Sequence, residues 1–119
     1  MEQKIGNIVN TLMSLYASSH YYHWMTTSEA EHNTMEDLYE GMNKIMDDFV
    51  EAMQGRYKIR VKTPSALTIV PYKMRVEFIS NTIKDLDKFI MGCDSEDLKN
   101  KAAEMIELLN ITLYRLTLK

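Results

Sequence analysis

The sequence predicts an all-α protein built as a four-helix bundle. Glycine and proline are scarce, at four and two among 119 residues, so a regular helix has few places at which it must stop. Apolar residues recur every three or four positions in four separate stretches, which is the period of a helix with one buried face. The length suits one core, and we therefore expect residues 1–119 to form a single domain.

The first two helices are predicted over residues 3–25 and about 29–53, with a turn between them and Gly55 as the stop of the second helix. The apolar stripe of the first helix is Ile5, Ile8, Val9, Leu12, Tyr16, His20 and His23. That of the second is Met35, Leu38, Tyr39, Met42, Ile45, Met46, Phe49 and Met53. A second stripe of the same period is polar and consists of His32, Glu36, Glu40, Asn43, Asp47 and Glu51.

The last two helices follow Pro71, which suits the first turn of a helix. Gly92 is predicted to end the third helix, and Asp94 or Ser95 is predicted to cap the fourth. The stripe of the third helix is Met74, Val76, Ile79, Ile83, Leu86 and Ile90. That of the fourth is Leu98, Ala102, Met105, Leu109, Leu113 and Leu116.

Residues 56–70 break the helical period. Apolar and basic residues alternate over 57–62, but no second alternating run is present to pair with them in a sheet. We therefore expect a long connection that crosses the end of the bundle. Two short-turn helix pairs joined by one long crossover give an up-down-down-up order, which is the arrangement of ferritin-like bundles.

Charge is distributed unevenly, although the net charge is only −3. Residues 26–55 carry eight acidic residues and one lysine, whereas residues 56–75 carry six basic residues and no acidic one. The lone Cys93 excludes an internal disulfide and is typical of a reducing compartment, so we expect a cytoplasmic location. No apolar run reaches membrane-spanning length, and no membrane association is expected.

Four residues have the chemistry of a metal site. His23 and His32 offer imidazole nitrogen, and Asp47 and Glu51, one helical turn apart, offer carboxylate oxygen; iron, manganese and zinc bind such mixed sets. His32 lies 15 residues before Asp47, or about 22 Å along a helix, so one chain cannot bring the two pairs together. An antiparallel copy related by a two-fold axis near Gly41 would do so.

Other interpretations of these residues remain open. The polar stripe on the second helix is also what an ordinary solvated surface looks like, and Gly41 is either tolerated or a point of close helix approach. His20 is an extra ligand or a packed interfacial histidine. Glu29 and His32 form one E-x-x-H motif, but an intrachain di-iron site needs two.

The stretch from Leu12 to Gly55 resembles the Dps family of mini-ferritins, the starvation-induced DNA-protecting proteins of the ferritin-like superfamily. The resemblance lies in His23-Trp24, a second histidine on the next helix and Asp47-x-x-x-Glu51. It implies a ferroxidase centre formed by His23 and His32 of one chain with Asp47 and Glu51 of its neighbour, and it places Trp24 beside the iron.

The resemblance also implies a function and a set of partners. These are iron(II) binding and oxidation at a mono-iron or di-iron centre, with manganese or zinc as substitute metals, and iron storage that limits oxidative stress. The partner is the chain itself, with a two-fold dimer as the minimal unit and a dodecameric cage as a larger assembly that the resemblance allows. The sequence lacks the basic terminal extension that many members use on DNA, so we expect DNA binding to be weak or absent. The alternative is a non-enzymatic oligomeric bundle protein that keeps the fold without iron chemistry.

Overall fold

The computed structural model describes residues 2–118 and contains four α-helices. They are α1 (Glu2–Met25), α2 (Glu29–Tyr57), α3 (Arg75–Met91) and α4 (Glu96–Arg115). A single 3₁₀ turn, Tyr72–Met74, leads into α3, and no strand occurs in the described part of the chain. The predicted all-α class and the number of helices are confirmed.

Two helices begin at serines that cap them. The Ser28 hydroxyl accepts a hydrogen bond from the Glu31 N–H at 3.2 Å, and the Ser95 hydroxyl accepts one from the Leu98 N–H at 3.4 Å. Each bond satisfies one of the N–H groups that a helix start leaves without a partner. Of the two caps predicted for α4, Ser95 is therefore the one used.

The predicted stop of α2 at Gly55 is wrong, because the helix continues to Tyr57. Lys58 ends it in the left-handed conformation (φ 56°, ψ 43°), and its N–H donates to the Gln54 carbonyl. The last turn is held from outside α2, since the Tyr57 hydroxyl donates to Asp94 Oδ1 at 3.4 Å in the α3–α4 loop. This tertiary contact outweighs the local preference for glycine at the helix end.

The core is made by the predicted stripes, with one exception at the start of α3. Leu12, Met42 and Phe49 are fully buried. Met74 and Val76, which were predicted to be core residues, are instead 41% and 48% exposed. Tyr72 and Arg75 point inward in their place, since both donate to the Glu31 carboxylate.

The directions of the helices follow from contacts at the two ends of the bundle. The Tyr72 hydroxyl lies 3.3 Å from Thr26 Oγ1, so α3 starts where α1 ends and α2 begins. Arg115 Nη1 donates to Asp37 Oδ2 at 2.6 Å, so α4 finishes at that same end. Consequently α1 and α4 run in one direction, and α2 and α3 run in the other.

Residues 58–71, here called the strap, connect α2 to α3 by running along α1 and not, as predicted, across the end of the bundle. The Ser14 hydroxyl donates to the Thr68 carbonyl, the Val70 N–H donates to Ser18 Oγ at 3.0 Å, and the Tyr22 hydroxyl donates to the Val70 carbonyl at 2.7 Å. The three α1 residues are four apart and share one helix face. The strap is thus fixed by buried polar side chains of α1.

Removing the Tyr22 hydroxyl is expected to loosen the strap and to change how stability depends on pH. Burial raises the pKa of Tyr22. The protonated hydroxyl therefore contributes to the stability of the folded state. This contribution is fully present below the unfolded-state pKa of about 10 and is lost as pH rises through the folded-state pKa. Tyr22→Phe should lower the free energy of unfolding by about 1 kcal/mol at pH 8. It should also reduce the loss of stability at alkaline pH. Urea unfolding at pH 8 and at alkaline pH measures both effects.

The exposed Tyr21 offers a matched control for this experiment. Tyr21→Phe should change the free energy of unfolding by less than about 0.5 kcal/mol at pH 8. Equal losses for the two variants would show that the bond from Tyr22 to the strap contributes nothing.

Candidate metal centre

His23 and His32 lie face to face where α1 turns into α2. The turn between the two helices has only three residues, and it brings the two imidazole rings to a centroid distance of 3.7 Å with 17° between their planes. His23 is 7% exposed, whereas His32 is half-buried. The two histidines predicted as ligands are therefore brought together within one chain.

Each of these rings is held by the backbone of the other histidine. His23 Nδ1 lies 2.7 Å from the His32 carbonyl oxygen, and His32 Nδ1 lies 2.8 Å from the His23 carbonyl oxygen. A carbonyl only accepts, so both Nδ1 atoms carry the hydrogen, and the neutral form of each ring has its lone pair on Nε2. Metal-binding histidines commonly tie their other ring nitrogen to a carbonyl in this way.

Asp47 and Glu51 form the second predicted pair, on the exposed outer face of α2. A hydrogen bond with Asp47 and the charge of Asp47 raise the pKa of Glu51. The two carboxylates lie one helical turn apart on the same face, so they repel each other when both are ionised. A bound cation would remove that repulsion, which is what a carboxylate pair in a metal site experiences.

The structure does not join the two pairs within one chain. Among residues 2–118 no three His, Cys, Asp or Glu side chains converge on a point where they could hold a metal ion. His32 and Asp47 are 15 positions apart on one continuous helix, which is about 22 Å. One chain therefore presents two half-sites, one of nitrogen and one of oxygen donors.

Tyr39 lies against the histidine pair and was counted only as a core residue in the sequence. Its ring is 5.5 Å from that of His23, and His20 stacks on it at 3.7 Å. Burial, followed by the nearby His23, lowers the pKa of His20. His20 is thus a histidine held by packing against Tyr39. Tyr39 follows His32 by two helical turns, and this spacing places it on the same face.

Trp24 lies on the surface of the chain, 65% exposed. Its ring packs against His20 at 5.8 Å and Tyr21 at 5.6 Å. The sequence resemblance placed this tryptophan beside the metal. In the structure it stands one residue after His23, on the outer side of α1.

A polar network beside His32 could not be found from the sequence. The Glu31 carboxylate accepts from the Tyr72 hydroxyl and, at 3.0 Å, from Arg75 Nη2. The Arg75 guanidinium carbon lies 3.9 Å from the centre of the Tyr72 ring. These partners are more than 40 positions away in sequence, so no local pattern announces them. They fix the first turn of α2, from which His32 projects.

The close helix approach at Gly41 lies within the chain, between α2 and α4. A Cβ atom at this position would lie 2.8 Å from Leu108 Cδ2, so the missing side chain lets α2 pack against α4. The glycine therefore contributes to the bundle itself. It gives no indication of contact with a second copy.

No helix within residues 2–118 combines the length and the apolar character needed to cross a lipid bilayer. No curated protein and no solved structure matches the chain significantly. A family profile, however, matches residues 23–116, a stretch that contains all four predicted ligands. Because the match covers most of the sequence, the chain belongs to DUF5856, a family of unknown function.

Proposed function

We propose that the chain is the subunit of a Dps-like mini-ferritin that oxidises iron(II) at a centre shared by two chains and sequesters the ferric product inside the oligomer. The observation that carries the proposal is the pair of reciprocal hydrogen bonds that orients His23 and His32 and leaves both Nε2 lone pairs available. The helix directions and the long strap agree with a ferritin-like bundle.

The two pairs of donors have complementary roles in this chemistry. Imidazole nitrogen suits iron(II), and the hard anionic oxygens of Asp47 and Glu51 suit the more highly charged iron(III). Each iron(II) substrate loses one electron, which dioxygen or hydrogen peroxide accepts. The carboxylates thereby favour the oxidised product, because their attraction to the ion grows with its charge.

A two-fold axis near the middle of α2 joins the pairs. Two copies of α2 packed antiparallel would bring the histidines of each chain to the carboxylates of the other, giving two equivalent centres per dimer. The exposure of Asp47 and Glu51 on the outer face of α2 agrees with this arrangement.

Stopped-flow absorbance of the ferric product tests the proposal. The wild-type chain should oxidise iron(II) faster than buffer does. Asp47→Ala/Glu51→Ala should reduce the rate by about 100-fold or more, since mutating even an outer partner of a metal ligand typically reduces metal affinity or activity by 10–100-fold. Glu104→Ala/Glu107→Ala is the matched control, because it removes the same charge from an exposed face of α4. It should oxidise iron(II) at the wild-type rate.

A wild-type rate equal to that of buffer would instead favour a non-enzymatic oligomeric bundle. One observation supports that alternative: the histidine hydrogen bonds themselves tie α1 to α2, which is a structural role. Metal analysis of untagged protein separates the two functions, because a bundle without iron chemistry should contain no stoichiometric iron, manganese or zinc.

A further inference from the structure

Each half-site is too small to hold a divalent cation well by itself. In the nearly buried His23 ring and in His32, only Nδ1 forms a hydrogen bond within the chain. The histidine half-site therefore offers two nitrogen donors, the Nε2 atoms. Asp47 and Glu51 offer the oxygen donors about 22 Å away. Sites for zinc and related ions use three or four protein ligands. Most of the binding free energy is therefore available only when two chains meet.

The face of α2 that would contact the second chain is strongly acidic. Glu36 and Glu40 lie on α2 between the half-sites, and Asp47 and Glu51 form the oxygen half-site. Among the ion pairs of the described residues none involves these four. A two-fold axis near the middle of α2 places the two copies of Glu40 close to each other. Eight carboxylates would then face one another in the dimer, and without a cation they repel.

We infer that metal binding and pairing of two chains are one coupled step, so that the chain is monomeric without a divalent cation and pairs when one is added. The inference rests on the proposed function, because it uses the same four ligands. By linkage, the factor by which pairing tightens metal binding is also the factor by which metal tightens pairing. Assembly would thereby respond to the supply of the substrate ion.

Sedimentation velocity of the full chain tests the coupling, with zinc as a probe that binds without being oxidised. In EDTA the wild type should sediment as one chain, and with zinc its mass should at least double. The variant His23→Ala/His32→Ala should stay monomeric in both conditions. Circular dichroism checks that it remains helical.

A second variant separates charge repulsion from metal ligation. Glu36→Gln/Glu40→Gln keeps all four ligands and removes half of the facing charges, so it should pair in EDTA at a protein concentration about tenfold lower than wild type and still respond to zinc. Glu104→Gln/Glu107→Gln removes equal charge from α4 and should behave as wild type.

The possible failures are distinguishable by equilibrium dialysis with zinc. A chain that is already paired in EDTA, binds zinc and does not change in mass overturns the coupling but leaves the proposed centre in place. Zinc bound by a chain that stays single overturns both the coupling and the shared centre. If the wild type binds no more zinc than His23→Ala/His32→Ala, the proposed function fails as well.

Discussion

Two inactive variants are expected to recover ferroxidase activity when they are refolded together. One carries His23→Ala/His32→Ala, and the other carries Asp47→Ala/Glu51→Ala. Each alone lacks half of the ligands at every centre. In a mixed two-fold dimer, one centre combines the intact carboxylates of the first variant with the intact histidines of the second, while the other centre loses all four ligands.

The size of the recovery depends on which dimers form. Random pairing makes half of the dimers mixed, each with one intact centre of two, and gives about one quarter of the wild-type rate. If pairing requires an intact metal centre, as inferred above, only mixed dimers form and the rate rises to about one half. Stopped-flow measurement of iron(II) oxidation by the mixture, by each parent and by the wild type gives the recovered fraction of the rate. Mass spectrometry under native conditions verifies that mixed dimers form.

Two results would contradict the shared centre. Verified mixed dimers that stay inactive, although both parents are folded, would show that the pairs do not meet across the axis. Full activity of either parent alone would show that its altered residues are not ligands.

Removing Arg75 should destabilise the chain more than removing both members of its ion pair. Glu31 and Arg75 side chains are only 11% and 26% exposed. Arg75→Met would leave the Glu31 carboxylate buried with the Tyr72 hydroxyl as its remaining partner, at a cost of about 2–4 kcal/mol. Glu31→Leu/Arg75→Met removes both charges and should cost about 1–2 kcal/mol less than the single change.

Urea unfolding of the two variants measures this difference, and Arg56 provides the control. Arg56 and Asp94 also form an ion pair, at 3.4 Å, but both side chains are largely exposed. Arg56→Met should therefore change the free energy of unfolding much less than Arg75→Met does. A double variant that is as unstable as Arg75→Met would show that the unpaired carboxylate is not the cause.

The parts of the fold that were predictable depend on chemistry within a few residues. The caps at Ser28 and Ser95 use an N–H three positions later, and the core stripes follow from helical period alone. The chemical types of the four candidate ligands were also visible in the sequence, as was the separation of the two pairs along α2.

The features that were missed depend on residues distant in sequence. Lys58 replaces Gly55 at the end of α2, where Tyr57 is held by Asp94 of another loop. The strap lies along α1 because of Ser14, Ser18 and Tyr22, which look like ordinary helix residues. The reciprocal hydrogen bonds of the two histidines depend on how the three-residue turn positions α1 against α2, which the sequence alone does not show.

That reciprocal bonding determines when conformational entropy is lost. Both rings are already fixed once the chain folds, so an ion that arrives at Nε2 does not have to immobilise them; ordering a side chain on binding costs about 0.5–1.5 kcal/mol. Asp47 and Glu51 are exposed and lose their freedom only in the complex. On the proposed function, the histidine half is therefore preorganised for the ion, and the cost of ordering side chains falls on the carboxylate half. A longer or looser turn between α1 and α2 would then weaken capture without altering a single ligand.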